Sequence, residues 1–293
     1  MEFVKASRKK VKLRLNISAP SGAGKTYSAL LMAKGLVGEW SKIGIIDTEN
    51  ESASLYEHLG PFNSLSLTAP FTPERYIEAI NAGIKAGFEC IILDSSSHEW
   101  NGLGGCIDLN EKLAQSKYKG NTWSAWNEIT PRHDRFVQTV LQAPVHIITC
   151  TRSKMETVMT DDKKVKKVGM KDIQREGWEY ELTVSLNIDR DTHTAIASKD
   201  RTELFEGKDP FVITEKTGVM IKEWCEKGVE APPPPAAWFL SPESQAELQG
   251  LIKSSTLDTK SADAAATVIA GAKDQGTIDK IKTRLLQVQT PSI

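Results

Sequence analysis

No run in this 293-residue chain approaches the about 18 consecutive apolar residues that a membrane-spanning helix needs. Its basic opening, MEFVKASRKKVKLRLNIS, also lacks the apolar segment of about 7 to 15 residues that marks a secretory signal. A chain with neither is expected to work in the cytoplasm, with no membrane partner. Net charge is nearly absent as well, at −1 overall, so nothing global marks a nucleic-acid or membrane binder and any basic surface must be local. Cysteine is sparse. The four, Cys90, Cys106, Cys150 and Cys225, are far apart, with no CxxC pair and no neighbouring His at metal spacing. They read as free thiols in a reducing compartment rather than as disulfides or a metal motif. What is left is an ordinary globular composition, 40% hydrophobic and 26% charged, long enough to bury a full α/β core and still carry a second small domain.

The chain is organised around Ala19-Pro20-Ser21-Gly22-Ala23-Gly24-Lys25-Thr26, which follows the alternating run Leu13, Leu15, Ile17 and opens an Ala/Leu-rich helical pattern from Thr26 to Val37. That order is strand, phosphate loop, helix. A glycine-rich turn at a helix N-terminus leaves backbone N–H groups free to converge on an anion, and the helix dipole adds to the field. Lys25 would reach the β and γ phosphates, while the Thr26 hydroxyl would hold Mg²⁺. Ser21, Gly22, Ala23, Gly24, Lys25, Thr26 and Tyr27 are the expected nucleotide contacts. Ala19 departs from the pattern, which has glycine there.

Further along, Lys42 to Asp47 reads as a buried strand followed by Thr48-Glu49-Asn50-Glu51, and residues 52–59 as helical. Pro73-Glu74 supplies a first-turn proline and acid for a helix over 74–86. Glu89 to Asp94 and Val145 to Thr151 are continuous apolar runs, as in strands covered on both faces. Between them lie an irregular stretch, 95–121, with a helix at 106–116, and a helical pattern from Trp123 to Gln142 that Pro131 should break or kink. Residues 153–177 show two β-prone arms around Asp161-Asp162, either a hairpin or a disordered loop. Strands at Tyr180 to Ile188 and His193 to Ser198 follow. Strands alternating with helices argue for an α/β fold with a mostly parallel central sheet and a ligand site at the C-terminal strand ends. Residues 1–228 form this first domain. A proline-rich linker, 229–238, leads to a small helical domain at 239–293, with helices at 242–254, 261–274 and 277–289 and Ser241 and Thr277 as N-caps.

Nucleotide hydrolysis needs a metal holder, and Asp94, ending a buried strand beside the phosphate-loop strand, meets that need together with Thr26. It also needs a group to orient the attacking water. Glu49, two residues past the strand end at Asp47, fits, with Glu51 as the fallback. At this point the segments IIDTEN (45–50) and IILDSSS (91–97) resemble the water-activating and metal-binding strands of RecA-type P-loop ATPases. The likeness is to the small phage RecA/Rad-type proteins, AAA-type nucleotide binders found beside single-strand annealing genes. It takes in TRSK (151–154), QREGWEYEL (174–182) and ASKDR (197–201), and spans about residues 10–206.

The resemblance implies a RecA-like P-loop NTPase fold, with ATP and Mg²⁺ as cofactors. It also implies a catalytic set of Lys25, Glu49, Asp94, Lys199 and Arg201, the last two reaching a neighbouring subunit's γ-phosphate. Where RecA proteins carry an Asn-Gln pair, this chain has Thr149-Cys150, leaving Thr149 or Thr151 as the phosphate sensor. Two loops would line a single-stranded DNA channel, the second through Lys163, Lys164, Lys166, Lys167 and Lys171, with no acid among them. Aromatics for base stacking are sparse, with Trp100, Tyr118, Trp123 and Trp178 near these loops. The expected function is a DNA-stimulated ATPase that assembles as a ring or filament on single-stranded DNA and assists recombination or annealing, in a host cytoplasm if phage-encoded. A single-strand binding or annealing protein would dock on the C-terminal domain. The alternatives are a ring helicase or packaging-type motor, and a nucleotide-switched adaptor without useful turnover.

Overall fold

The computed structural model describes residues 7–159, 165–229, 242–255, 257–270 and 275–288. The polyproline segment, the Asp161-Asp162 turn, Lys5, Ser241, Lys163 and Lys164 lie outside them. The chain divides into two compact units, Met1–Val229 and Glu230–Ile293.

In the first unit the elements run β1 (Arg14–Ala19), α1 (Lys25–Val37), β2 (Ile43–Asp47), β3 (Asn63–Ser66), α2 (Pro73–Lys85), β4 (Cys90–Asp94), α3 (Ser97–Asn101), α4 (Cys106–Lys117), α5 (Thr122–Gln142), β5 (His146–Met159), β6 (Val165–Asp172), α6 (Trp178–Glu181), β7 (Val184–Ile188), β8 (Ala195–Asp200) and α7 (Glu215–Glu226). The sheet order is β3-β2-β4-β5-β1-β7-β8, with β6 paired only to β5. Every neighbour along that path is parallel except β7 with β8, and β6 runs antiparallel to β5. The fold is therefore α/β with a mostly parallel sheet, followed by C-terminal helices.

Successive strand residues face opposite sides, so the apolar runs split between two cores. Ile43, Ile45, Cys90, Ile92, Ile148 and Cys150 pack with α1 and α7. Ile46, Ile91, Leu93 and Ile147 pack with Tyr76 of α2 and Phe136 and Val140 of α5. The helices α1 and α7 cross at glycines. A Cβ on Gly35 would lie 1.9 Å from the Glu215 carbonyl oxygen, and one on Gly218 would lie 2.1 Å from that of Met32. Any side chain there forces the helices apart.

Several expectations change. Asp94 does not end a strand next to β1, because β5 lies between β4 and β1. Residues 52–59 are helical as expected, in the form of a 3-10 segment. Pro131 sits inside one uninterrupted 21-residue helix, forfeiting a single backbone hydrogen bond without ending it. The helix expected at 106–116 is α4, with the short α3 before it, and of the two alternatives for 153–177 the described residues form the antiparallel β5–β6 pair. The strand expected from Tyr180 begins only at Val184, after α6. In the basic opening segment, the Arg8 guanidinium bonds the Trp224 and Lys227 carbonyls and lies 4.5 Å over the Trp224 ring.

The second unit holds α8 (Pro242–Ser254), α9 (Thr259–Ala270) and α10 (Gln275–Gln287). Leu248, Ile269, Ile278 and Leu285 form its small core. Thr277 lies within α10 and is not its N-cap, while the Asp258 carboxylate caps α9 by accepting from the Ser261 N–H at 2.7 Å.

Candidate nucleotide site at the C-terminal strand ends

The loop between β1 and α1 turns through two left-handed residues, Gly22 (φ 82°) and Gly24 (φ 88°), both glycine for that reason. Ala19 is the last, extended residue of β1, so the position where the motif has glycine demands none here. A Cβ on Gly22 would meet nothing within 4 Å, which leaves the loop open to solvent for an incoming anion. The buried Lys25 side chain folds back over the loop, its Nζ donating to the Ala19 and Pro20 carbonyls, each at 3.2 Å. These weak bonds are easily exchanged for phosphate oxygens.

Asp94 ends β4 fully buried, and the Thr26 hydroxyl, from the first turn of α1, donates to its Oδ2. Burial pushes the Asp94 carboxyl up to about 6, with Glu49 and Asp47 adding to the rise and Thr26 and Lys25 opposing it. A buried carboxylate and a hydroxyl converging beside a phosphate loop are hard oxygen donors of the kind Mg²⁺ takes along with nucleotide oxygens and water. Thr26 and Asp94 are the residues that would hold it. Tyr27, exposed on α1, meets Tyr56 edge-on at 6.0 Å.

The loop after β2 is shaped by Asp47, whose carboxylate accepts from the Glu49 N–H at 2.6 Å and the Ala53 N–H at 2.7 Å. This fixes Glu49, half-buried, toward the sheet's C-terminal edge. Glu51 is exposed in a left-handed turn (φ 62°). Glu49 is not free, because Arg152 grips both its oxygens, Nε to Oε1 at 2.9 Å and Nη2 to Oε2 at 2.8 Å. Burial alone would raise the Glu49 carboxyl. The Arg152 bonds and charge, with His98 and Lys25, outweigh it and hold the group below its ordinary value.

Arg152 is the site residue that sequence reasoning missed as such. It stands in register with Ala19, the residue that opens the phosphate loop. Thr149 and Thr151, the expected phosphate sensors, point to the other face. Thr149 donates to Leu15 O and Asn16 Oδ1, and Thr151 to Asp172 Oδ2. The period of a strand puts Cys150 and Arg152 on the phosphate-loop side instead. Two histidines were also missed. His98 bonds the Thr48 hydroxyl at 2.7 Å, and His193 in the β7–β8 turn meets the Ala23 carbonyl at 3.2 Å. Neither had a motif to flag it, since both arrive by tertiary packing.

Lys199 and Arg201 lie elsewhere. The β8 end at Asp200 is level with Val184 and hence with Leu15, about 13 Å below Ala19 at strand rise. Both side chains bond carbonyls of α6, Lys199 those of Glu179 and Tyr180 and Arg201 that of Tyr180 at 3.0 Å. They do not serve their own phosphate loop. On the β5–β6 arm, Lys166 and Lys167 pair by backbone with Val158 and Thr157. Lys171 is not an unopposed cation, for Glu156 pairs with it at 3.2 Å. Of the aromatics, Trp178 is core, stacked on Phe136 at 5.8 Å, and Trp100 stacks on Trp126 at 5.4 Å. The Tyr118 hydroxyl bonds Glu128, whereas Trp123 is 85% exposed.

An Arg152→Ala variant separates the two influences on Glu49. With the guanidinium gone, burial dominates and the Glu49 carboxyl rises. A base that must be ionised then fails at higher pH, so the acid limb of turnover shifts upward relative to the parent. An unshifted limb in the pH–kcat/KM profile shows that Glu49 is not the titrating base.

Residues 11–211, more than half of the chain, match the AAA domain family. Curated protein sequences give no match. Among solved structures, a KaiC-like protein from the hyperthermophilic archaeon Pyrococcus horikoshii is similar, at 14% identity and a TM-score of 0.36, over 75% of this chain and 89% of that one. A likeness that loose carries no functional argument. With the phosphate loop in place and the match spanning the whole sheet, the chain belongs to the AAA domain family of P-loop NTPases.

Proposed function

We propose that the protein is a RecA-type, Mg²⁺-dependent ATPase whose turnover is coupled to single-stranded DNA held by the β5–β6 arm, in the service of recombination or annealing. The carrying observation is the position of Arg152. It grips Glu49 at the level of the phosphate loop, and the antiparallel arm begins at the next residue, Ser153. The root of the arm is tied to β1, β5 and the segment after β4 by further bonds. Asp172, at the end of β6, accepts from Asn16, Ser18 and Thr151, and the Gln174 amide donates to Ser96 O at 3.0 Å. A ligand that moves the arm therefore acts on the residue holding the water-orienting carboxylate. Ser21 to Tyr27 would hold ATP, and Thr26 and Asp94 the Mg²⁺, which would supply charge neutralisation at the phosphates, while Glu49 would orient the attacking water and take its proton.

Lys199 and Arg201, which sit far from their own phosphate loop, are proposed to serve a neighbour's in a ring or filament. Specific activity then rises with protein concentration, and a strictly constant value removes the role in trans. The arm is tested by changing Lys163, Lys164, Lys166 and Lys167 to Ala. Nucleotide binding stays, DNA stimulation disappears, and the log–log salt slope of single-strand binding falls by about 0.7 for each phosphate that is no longer neutralised. Parental affinity and slope in that variant would assign the lysines to a solvated hairpin. Should nucleotide bind without turnover, the nucleotide-switched adaptor becomes the better reading, with the C-terminal helices as docking module.

A further inference from the structure

We propose that Glu99, Cys106 and His133 bind one divalent transition-metal ion, zinc by the chemistry of the set, in the buried space where α3, α4 and α5 meet. The three come from three different helices and offer a carboxylate, a thiol and an imidazole whose ligand atoms all lie within 4.8 Å of one another. Glu99 Oε1 is 3.1 Å from Cys106 Sγ and 3.0 Å from His133 Nδ1, and Sγ lies 3.9 Å from Nδ1. A tetrahedral zinc, with bonds of about 2.0 to 2.3 Å, sets its ligand atoms about 3.3 to 3.6 Å apart, and the observed spacings bracket that range. Mixed sulfur, nitrogen and oxygen donors suit zinc rather than Mg²⁺ or Ca²⁺.

Burial argues for an ion over a reactive thiol. Glu99 and Cys106 are 0% exposed and His133 3%, so no substrate reaches the sulfur, whereas an ion captured during folding needs no path. A buried carboxylate is ordinarily paired with a cation or a metal. Among the described residues, the ion pair shown for Glu99 is with His133 alone. The surroundings hold the ligands in place. A Cβ on Gly105, just before Cys106, would fall 2.6 Å from His98 O and 2.8 Å from Glu99 O, so the turn joining two of the ligands is pressed onto α3. Cys106 is the first residue of α4; burial and the Glu99 carboxylate beside it push its thiol up, so an ion bound there would displace the proton. Trp100 meets the His133 ring edge-on at 5.4 Å, and the Gln174 amide reaches Glu99 Oε2 at 3.5 Å. The ion would brace the segment that follows Asp94 against α5 and the exit of β6.

The full chain is purified without chelators, its metal content is measured by plasma mass spectrometry, and the demetallated protein is refolded with Co²⁺ alone. The expected results are one zinc per chain and, with cobalt, a thiolate-to-cobalt charge-transfer band together with the visible bands of a tetrahedral ion. The charge-transfer band is lost in Cys106→Ser and kept in Cys225→Ala. Wild-type protein with no stoichiometric metal and no such band overturns the site whether or not the serine variant folds. A band that survives Cys106→Ser also overturns it, since another cysteine then binds the ion.

Discussion

Lys25→Ala lowers ATP turnover by about 100- to 1000-fold, the loss found when one preorganised donor to a charged transition state is removed. Among the described residues the Lys25 ammonium is the side-chain cation seated on the phosphate loop, and its present partners are the Ala19 and Pro20 carbonyls. Each of those bonds is long, at 3.2 Å, so the variant folds, with its unfolding midpoint close to the parent's. Apolar packing on both sheet faces is kept, because Lys25 belongs to neither core cluster. Equilibrium nucleotide binding and steady-state turnover check this, and unchanged values for both would take the loop out of the chemistry.

Glu49→Gln gives a different signature. The amide keeps the size of the carboxylate and one hydrogen bond to Arg152, but it cannot take a proton from water. Turnover falls by about 100- to 10,000-fold, the usual contribution of a positioned base, while ATP stays bound because Gly22 to Thr26 are untouched. A loss in kcat without a weaker Kd marks an interaction made only in the transition state. Normal hydrolysis in this variant would move the role to another group. Glu51 is a poor heir, since it is exposed.

Much of the fold was legible because its signals are local. The alternation Leu13, Leu15, Ile17 announces β1, and Thr72-Pro73-Glu74 announces the start of α2, where the Thr72 hydroxyl accepts from the Arg75 N–H. The same alternation hides something, however. Arg14, Asn16 and Ser18 between the apolar residues are buried too, with Asn16 and Ser18 spent on bonds to Asp172 from a strand more than 150 residues away. Asp94, Thr26 and Glu49 could be nominated from motif and strand-end position. Arg152 could not be given its role, because only the parallel register of β1 with β5 brings it level with the phosphate loop. The position of β5 between β1 and β4 likewise depends on a choice of sheet order that no local pattern encodes. The four cysteines are free thiols, as their spacing implied, but the neighbours of one of them were hidden for the same reason. Cys106 has no histidine near it in sequence, and His133 reaches it from the middle of α5, 27 residues on.

Nucleotide hydrolysis at the phosphate loop is, on this reading, coupled through Arg152 and Glu49 to DNA held on the adjoining arm. The most direct measurement is ATP turnover by the full chain in Mg²⁺, with and without single-stranded DNA. The predicted result is a low basal rate that rises on adding DNA. A rate that is the same with and without DNA, or no turnover by a chain that binds ATP, would contradict it.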